Sequence, residues 1–272
     1  MLEFIKNQLN KLNIDLVSCL SLDECEITRP YLLEKTGITN GSVILFAVPY
    51  LSQNSIGERN ISAYAVSQDY HIFFKNLFDD VISDLNKLYP EYIFTGFSDH
   101  SPINEIHAAA KSGLGVIGKN RLLITEKYSS YVFIGEIITN APLPSLATEV
   151  SYCIGCNKCI SACPANADIN SCLSAITQKK GELNDFEAKQ IKKSKCAWGC
   201  DICQEVCPYT KKAILNGTIY SKIDYFNNNL TPLLKSEDIE NMSDDQFSSR
   251  AYSWRGKQVI SRNLKILEGK ES

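Results

Sequence analysis

The chain has 272 residues, enough for a full core and for one large or two modest domains. Hydrophobic residues make up 44% and charged residues 22%, and no stretch approaches the roughly 18 apolar residues of a membrane span, so a membrane role is not expected. A formal charge of −3 and a pI near 5.7 argue against global attraction to a polyanion and leave local basic faces open. The start, MLEFIKNQLNKLN, lacks the unbroken apolar core of a secretory signal, so a reducing cytoplasm is the expected compartment.

In chain order, the first forty residues read as helical, with apolar positions at Leu2, Phe4, Ile5, Leu9 and Leu12. They include two isolated thiols, Cys19 and Cys25, expected to be packing residues. Gly41 to Tyr50, GSVILFAVPY, is a continuous apolar run bounded by turn residues, as in a strand buried on both faces. From Ile61 to about Tyr89, apolar residues recur at three- and four-residue steps and stop before Pro90, which predicts a long amphipathic helix. YIFTGFSD then reads as a strand. Ser101 and Pro102 suit the N-cap and first position of a helix through INEIHAAAKS, which stops at Gly113. RLLIT and YVFIGEIIT follow as two strands of an expected hairpin, completing an α/β sandwich of about 145 residues.

Gly113-Leu-Gly115-Val-Ile-Gly118 matches the dinucleotide fingerprint G-x-G-x-x-G. That fingerprint works after a strand and before a helix, whose N-terminus holds the pyrophosphate. Here the order is reversed, so the glycines read as a tight, close-approach loop.

Nine of the eleven cysteines fall between Cys153 and Pro208: four in each of two blocks, SYCIGCNKCISACPA and KCAWGCDICQEVCPYT, and Cys172 between them. The first is C-x2-C-x2-C-x3-C-P, in which three thiolates close on one cubane and the fourth, before proline, ligates another. The second ends alike, with Cys200, Cys203 and Cys207 before Pro208. By this pseudo-symmetry, Cys153, Cys156, Cys159 and Cys207 hold one [4Fe–4S] cluster, and Cys163, Cys200 and Cys203 hold the other. Spacing leaves Cys172 and Cys196 open as its fourth ligand. A zinc site would use C-x2-C pairs but does not call for two C-x3-C-P endings, and a disulfide framework belongs to secreted chains.

Together with these blocks, ISAYAVSQDYH (61–71), FSDHSPINE (97–105), AKSGLGVIGKN (110–120), FIGEI (133–137) and SRNLKIL (261–267) resemble the epoxyqueuosine reductases. Those are cobalamin and double-[4Fe–4S] enzymes that complete queuosine in tRNA; reductive dehalogenases share the corrinoid and cluster layout. The resemblance implies an α+β protein, with a nitroreductase-like α/β sandwich over 1–145, a ferredoxin-like double-cluster domain over 146–215 and a C-terminal helical segment over 216–272. It assigns the eighth cluster ligand to Cys172, in SCLSAIT. It also makes Asp99, in the D-x-x-P run Asp99 to Pro102, the catalytic acid and a cofactor contact. Leu123 and Thr125, which share one face of RLLIT, match family positions beside the corrin, as does Ile134. The bottom-up alternatives are a carboxylate at a helix start for Asp99 and plain sheet core for the other three.

On this resemblance two clusters feed electrons to a corrin cobalt acting at the epoxide carbon, and Asp99, in a desolvated pocket, protonates the developing oxygen. The implied partners are the anticodon stem-loop of a tRNA carrying epoxyqueuosine and an external one-electron donor such as flavodoxin or ferredoxin; a monomer is expected. Basic residues at 179–195 (Lys179, Lys180, Lys189, Lys192, Lys193, Lys195) and at Arg250, Arg255, Lys257 and Arg262 are candidates for phosphate contacts. The chain departs from the family in a short N-terminal region and in carrying Ala175 and Lys179 where tyrosine and glutamate are usual. The competing functions are a dicluster electron carrier and a corrinoid reductase of a small molecule.

Overall fold

Ser42–Pro49 (β2) is buried at all eight positions, as its unbroken apolar sequence requires. In the computed structural model, which describes residues 1–165, 168 and 171–270, β2 pairs antiparallel on one side with Leu16–Ser21 (β1) and on the other with Val132–Thr139 (β6). Phe94–Ser98 (β3) completes the order β1-β2-β6-β3 by pairing with β6, Phe94 opposite Thr139 and Ser98 opposite Gly135. The chain divides into two compact units. The first holds Met1–Tyr50, Phe73–Cys156 and Lys212–Ile219; the second holds Leu51–Ile72, Asn157–Lys211 and the chain from Tyr220 on.

In the first unit, side-chain alternation gives the sheet two different faces. Gly135 presents its bare Cα to one face, where an added Cβ would lie 2.4 Å from the Phe46 ring and 2.6 Å from that of Phe74. That space admits an aromatic layer of Phe46, Phe74 and Phe78, the last two from the helix Tyr70–Leu88. Buried Phe46 and Phe74 contribute about 1.5–3 kcal/mol each, so a methyl group at position 135 would displace the layer that holds this helix. On the other face, Val43, Leu45, Ile134 and Ile138 pack with Ala108, Ala109 and Ala110 of the helix Glu105–Lys111. Small alanines let that helix lie close to the sheet.

Several local expectations shift. Leu2–Lys11 is helical, but β1 follows it and carries Cys19, because pairing along β2 overrides weak helical periodicity. Cys19 and Cys25 are buried, and burial pushes their thiols up to about 11 and about 12. The long helix begins at Tyr70 rather than Ile61, after a single 3₁₀ turn at Ala63–Ala65. Ser101 is not an N-cap: the helix starts at Glu105, and Asn104 caps it by accepting from His107 N at 3.3 Å. Leu123–Ile124 (β5) pairs with Val116–Ile117 (β4), not with β6, so the expected hairpin does not form. The glycine-rich loop follows a helix and leads into β4, and a Cβ on Gly115 would lie 2.5 Å from the Ile124 carbonyl oxygen. It is a close-approach loop, as its context indicated.

The second unit is built of short helices tied by buried polar groups. Asp201 is 6% exposed and accepts from Ala63 N (2.7 Å), Ser62 Oγ (2.5 Å) and Arg59 Nη2 (3.1 Å). Asn263, fully buried on the helix Lys257–Glu268, donates to the carbonyls of Thr177 (2.7 Å) and Ala197 (2.8 Å). The SRNLKIL run thus owes its asparagine to packing, since a buried amide left unpaired is costly.

Candidate active site, cluster segment and basic cavity

β3 ends at Ser98, where His100 N donates back to Ser98 O at 2.7 Å and closes a three-residue turn around Asp99. Asp99 has φ +64°, the left-handed form of a γ-turn, which is rare and strained for a residue other than glycine. The following segment is tied down. Thr28 N and Arg29 N donate to Pro102 O at 2.9 and 3.0 Å, Arg29 Nη1 donates to Ser101 O at 2.8 Å, and Asn104 N donates to Glu26 O at 2.8 Å. His100 Nε2 meets Tyr31 Oη at 3.0 Å.

Asp99, Glu105, Leu123, Val132, Phe133 and Ile134 line a cavity of about 170 Å³. Three of the four residues singled out in this part of the sequence, Asp99, Leu123 and Ile134, therefore meet there. Thr125 is not among the lining residues. It is fully buried, and its hydroxyl donates to Ser129 O (3.1 Å) and accepts from Tyr128 N (3.0 Å), bracing the turn beyond β5. The volume lies below the roughly 300–1,000 Å³ of pockets for drug-sized ligands. It has room for the reacting part of a ligand and not for a macrocycle.

The desolvated carboxyls here are not the one expected. Asp99 is exposed at the cavity wall. Glu105 is pushed up to about 7, first by burial and then by the Asp99 charge; Arg29 and an N–H bond from the Asp99 backbone oppose that rise. Glu136, on β6 between Ile134 and Ile138, is fully buried and raised well above the ordinary carboxyl range, chiefly by burial. The Ser101 hydroxyl donates to one of its oxygens and opposes the rise, while the Glu105 charge adds to it. Glu105 Oε2 and Glu136 Oε1 are buried without a hydrogen-bond partner. Sequence reasoning missed both acids. A carboxylate alternating with isoleucines on an otherwise apolar strand was the available signal for Glu136.

All eleven cysteines are free thiols. Among the described residues no three His, Cys, Asp or Glu side chains gather as ligands of a single ion do; thiolates on a cubane each bind a separate iron. Cys153 N donates to Ile117 O at 3.0 Å, anchoring the start of the cluster segment on β4. In the second unit, half-buried Cys172 stands at the N-terminus of the helix Leu173–Thr177. Cys196 instead directs its Sγ at two carbonyl oxygens, Trp198 O (3.3 Å) and Gly199 O (3.4 Å). A thiolate there would face two acceptors. Burial pushes the Cys196 and Cys200 thiols alike up to about 12.

The two basic runs, remote in sequence, meet in the second unit. Cys172, Ala175, Lys179, Lys180 and Arg255 help to line a cavity of about 750 Å³, and Lys180, Arg255, Gln258 and Arg262 a second of about 830 Å³. Lys179 is paired with Glu187 (2.8 Å), Lys257 with Asp244 (2.9 Å), and Arg250 donates to Asn229 O (2.7 Å). Arg255 lies 3.7 Å above the ring of exposed Trp254, and its Nε is buried without a partner. Lys192, Lys193 and Lys195 are exposed.

This arrangement defines a double-cluster iron–sulfur protein with a mixed α/β body, and residues 152–210 match the 4Fe-4S double cluster binding domain. Among curated proteins, the epoxyqueuosine reductase of Lactococcus garvieae is 32% identical over 209 residues, which are 72% of this chain and 58% of that protein. That of Bacillus cereus is 31% identical over 241 residues, 82% of this chain and 62% of that protein. The structure of epoxyqueuosine reductase from Streptococcus thermophilus superimposes with a TM-score of 0.77 at 25% identity, covering 97% of this chain and 80% of that one. The chain is thus a relative of the epoxyqueuosine reductases in sequence and in fold, and spans about three-fifths of the length of these curated relatives. Among the described residues no helix is long and apolar enough to cross a membrane.

Proposed function

We propose that the protein is an epoxyqueuosine reductase, an oxidoreductase that converts epoxyqueuosine in tRNA to queuosine. The observation that carries this reading is the convergence of Asp99, Leu123 and Ile134 on one small cavity, on a chain with a double-cluster segment. Removing an epoxide oxygen as water consumes two electrons and two protons and leaves a carbon–carbon double bond. When bound, cobalamin supplies the reducing chemistry at the epoxide carbon, and two [4Fe–4S] clusters supply electrons one at a time.

This chain's residues handle the oxygen. The Asp99 carboxyl gives its proton to the epoxide oxygen as the C–O bond opens, so that no free alkoxide accumulates. Leu123, Val132 and Ile134 give the reacting centre an apolar wall opposite the exposed acid. Leu123 and Ile134 fit as apolar contacts for the corrin edge. Thr125 is held for that edge only by the resemblance, its hydroxyl being engaged in the local turn.

The proposed cluster ligands are Cys153, Cys156, Cys159 and Cys207 for one centre and Cys163, Cys172, Cys200 and Cys203 for the other. Lys180, Arg255, Lys192, Lys193 and Lys195 are proposed phosphate contacts for the anticodon stem-loop; a solved epoxyqueuosine reductase of the same fold carries a modified tRNA stem loop. The finer architecture is proposed as well: a nitroreductase-like sandwich over 1–145, the ferredoxin-like domain over 146–215 and a C-terminal helical segment over 216–272. So are a cytoplasmic monomer and a flavodoxin or ferredoxin donor.

Ala175 and Lys179, both departures from the family, stand in the wall of the basic cavity. A corrinoid reductase of a small molecule is therefore the second reading. The test is anaerobic purification with iron and sulfide analysis, a cobalamin titration, and nucleoside analysis of epoxyqueuosine-containing tRNA after incubation with reductant. Cluster and corrin binding with conversion to queuosine supports the first reading. Clusters without corrin binding point to an electron carrier, and both cofactors without tRNA affinity point to the small-molecule reductase.

A further inference from the structure

The strained turn at Asp99 is pinned to β6 at both of its ends. Before it, β3 closes with Ser98 opposite Gly135. After it, the hydroxyl of Ser101 donates to Oε2 of Glu136, the next residue of β6, and accepts from Ile103 N at 3.1 Å. Ser101 and Glu136 are both fully buried, whereas Asp99 and His100 are exposed. Arg29 donates to Ser101 O, and Thr28 N and Arg29 N donate to Pro102 O, so these bonds tie the segment to the chain around residue 29. The Ser101–Glu136 bond ties it instead to the sheet, on the strand whose Ile134, two residues earlier on the same face, lines the cavity.

Packing alone does not call for a carboxyl at this point. Glu136 lies between Ile134 and Ile138 along β6, opposite Leu45 on β2 and Phe97 on β3, and all four neighbours belong to the apolar core or pack on it. An apolar side chain of similar length would fill that space without the cost of desolvating a carboxyl, one of whose oxygens, Oε1, is buried without a partner. The turn, for its part, needs holding, since φ +64° is a state that an aspartate leaves when free to do so. We propose that Glu136 is a positioning residue: by accepting from Ser101 it staples the Asp99 turn to β6 and sets the reach of the Asp99 carboxyl relative to the Ile134 wall of the cavity. Burial raises Glu136 well above the ordinary carboxyl range, and the neutral carboxyl still offers Ser101 an acceptor oxygen. The catalytic half of this inference rests on Asp99 being the acid of the proposed reaction; the staple itself does not.

The test compares Glu136→Gln with Glu136→Met in the holoenzyme. Glutamine keeps an acceptor oxygen of the same reach and resembles the neutral acid; methionine fills a similar volume with only a weakly accepting sulfur. The Ile103 amide, which donates to Ser101 Oγ, reports on the staple. Its hydrogen exchange is expected to stay slow in the parent and in Glu136→Gln and to quicken about tenfold or more in Glu136→Met, with iron content and exchange along β2 unchanged. In turnover, Glu136→Met is expected to lose about 10²-fold in kcat with little change in KM, as for a misplaced catalytic group, while Glu136→Gln keeps at least about a tenth of the parent kcat. Equal exchange at the Ile103 amide in all three proteins overturns the proposal. So does a parent-like kcat in Glu136→Met, or a glutamine variant as slow as the methionine one, which would mean that the Glu136 proton matters and not its acceptor. Should Glu136→Met fail to fold, Ser101→Ala removes the donor of the same bond, and a parent-like kcat in that variant overturns the proposal equally. If the exchange pattern holds but the parent protein does not reduce epoxyqueuosine, the reaction assignment fails and the staple stands.

Discussion

The cavity at Asp99 and the cavities at Arg255 differ in size by more than fourfold, about 170 Å³ against 750 and 830 Å³, and in the charges that line them, acids alone in the first and a majority of bases over Glu182, Asp185 and Glu187 in the others. At the small one, burial and then the neighbouring Asp99 charge drive Glu105, in its wall, toward the neutral form, and burial with the Glu105 charge does the same to Glu136 on β6, because a low-dielectric space disfavours charge. In the large ones lysine and arginine side chains outnumber the carboxylates and remain partly or fully exposed. A small, largely apolar site with an acid at its rim suits bond-making. A broad cationic one suits a polyanion recognised along its backbone, where water and salt remain part of the interaction. The proposed function puts chemistry in one region and grip in the other, and substitutions can separate the two.

The largest expected effect lies in the wall of the basic cavity. Cys172→Ser should remove one of two clusters, roughly halving iron and acid-labile sulfide, whereas Cys196→Ser should leave both. The reverse result would transfer the ligand role to Cys196. Next, Asp99→Asn should keep iron content and cobalamin affinity while turnover falls about 10²–10⁴-fold, because an amide cannot deliver the proton. Parent-like reduction of epoxyqueuosine by that variant would return Asp99 to a purely structural place in its turn.

A smaller effect is expected on the grip. Neutralising Lys180 and Arg255 together, or Lys192, Lys193 and Lys195 together, should flatten the salt dependence of tRNA binding by roughly 0.7–0.9 in the log–log slope per lost phosphate contact. Turnover at saturating tRNA should hardly change. An unaltered slope in both variants would place the contacts elsewhere. The smallest effect concerns stability. Glu105 is at about 7 in the folded chain and nearer an ordinary carboxyl when unfolded, so the folded state holds the extra proton between those values. Its contribution is complete below the unfolded pKa and is lost as pH rises through about 7. Stability measured by denaturant titration should therefore decline between about pH 4.5 and pH 7.5, on the order of 1–3 kcal/mol from this group, and Glu105→Gln should flatten the decline.

The sequence by itself determined the double-cluster segment, because cubane ligation is local: thiolates two and three residues apart, closed by Cys-Pro, describe the loop that wraps the cluster. It also determined the buried central strand, since an unbroken apolar run of that length is satisfied only with both faces covered, and it excluded a dinucleotide site from the order of elements around Gly113. The spacing of the cysteines did not separate Cys172 from Cys196. The Cys196 sulfur faces two carbonyls, which supports the proposed choice of Cys172. Only the tertiary structure decided which carboxyls are desolvated. Asp99 stands out in the sequence yet is exposed, whereas Glu105 and Glu136 acquire their environment from β6, β3 and the segment around Arg29. The same holds for the helix start at Glu105 and for β5 choosing β4 over β6: each turns on partners distant in the chain, and the free energy of burying and pairing groups against those partners exceeds the few tenths of a kcal/mol by which local propensity favours one state over another.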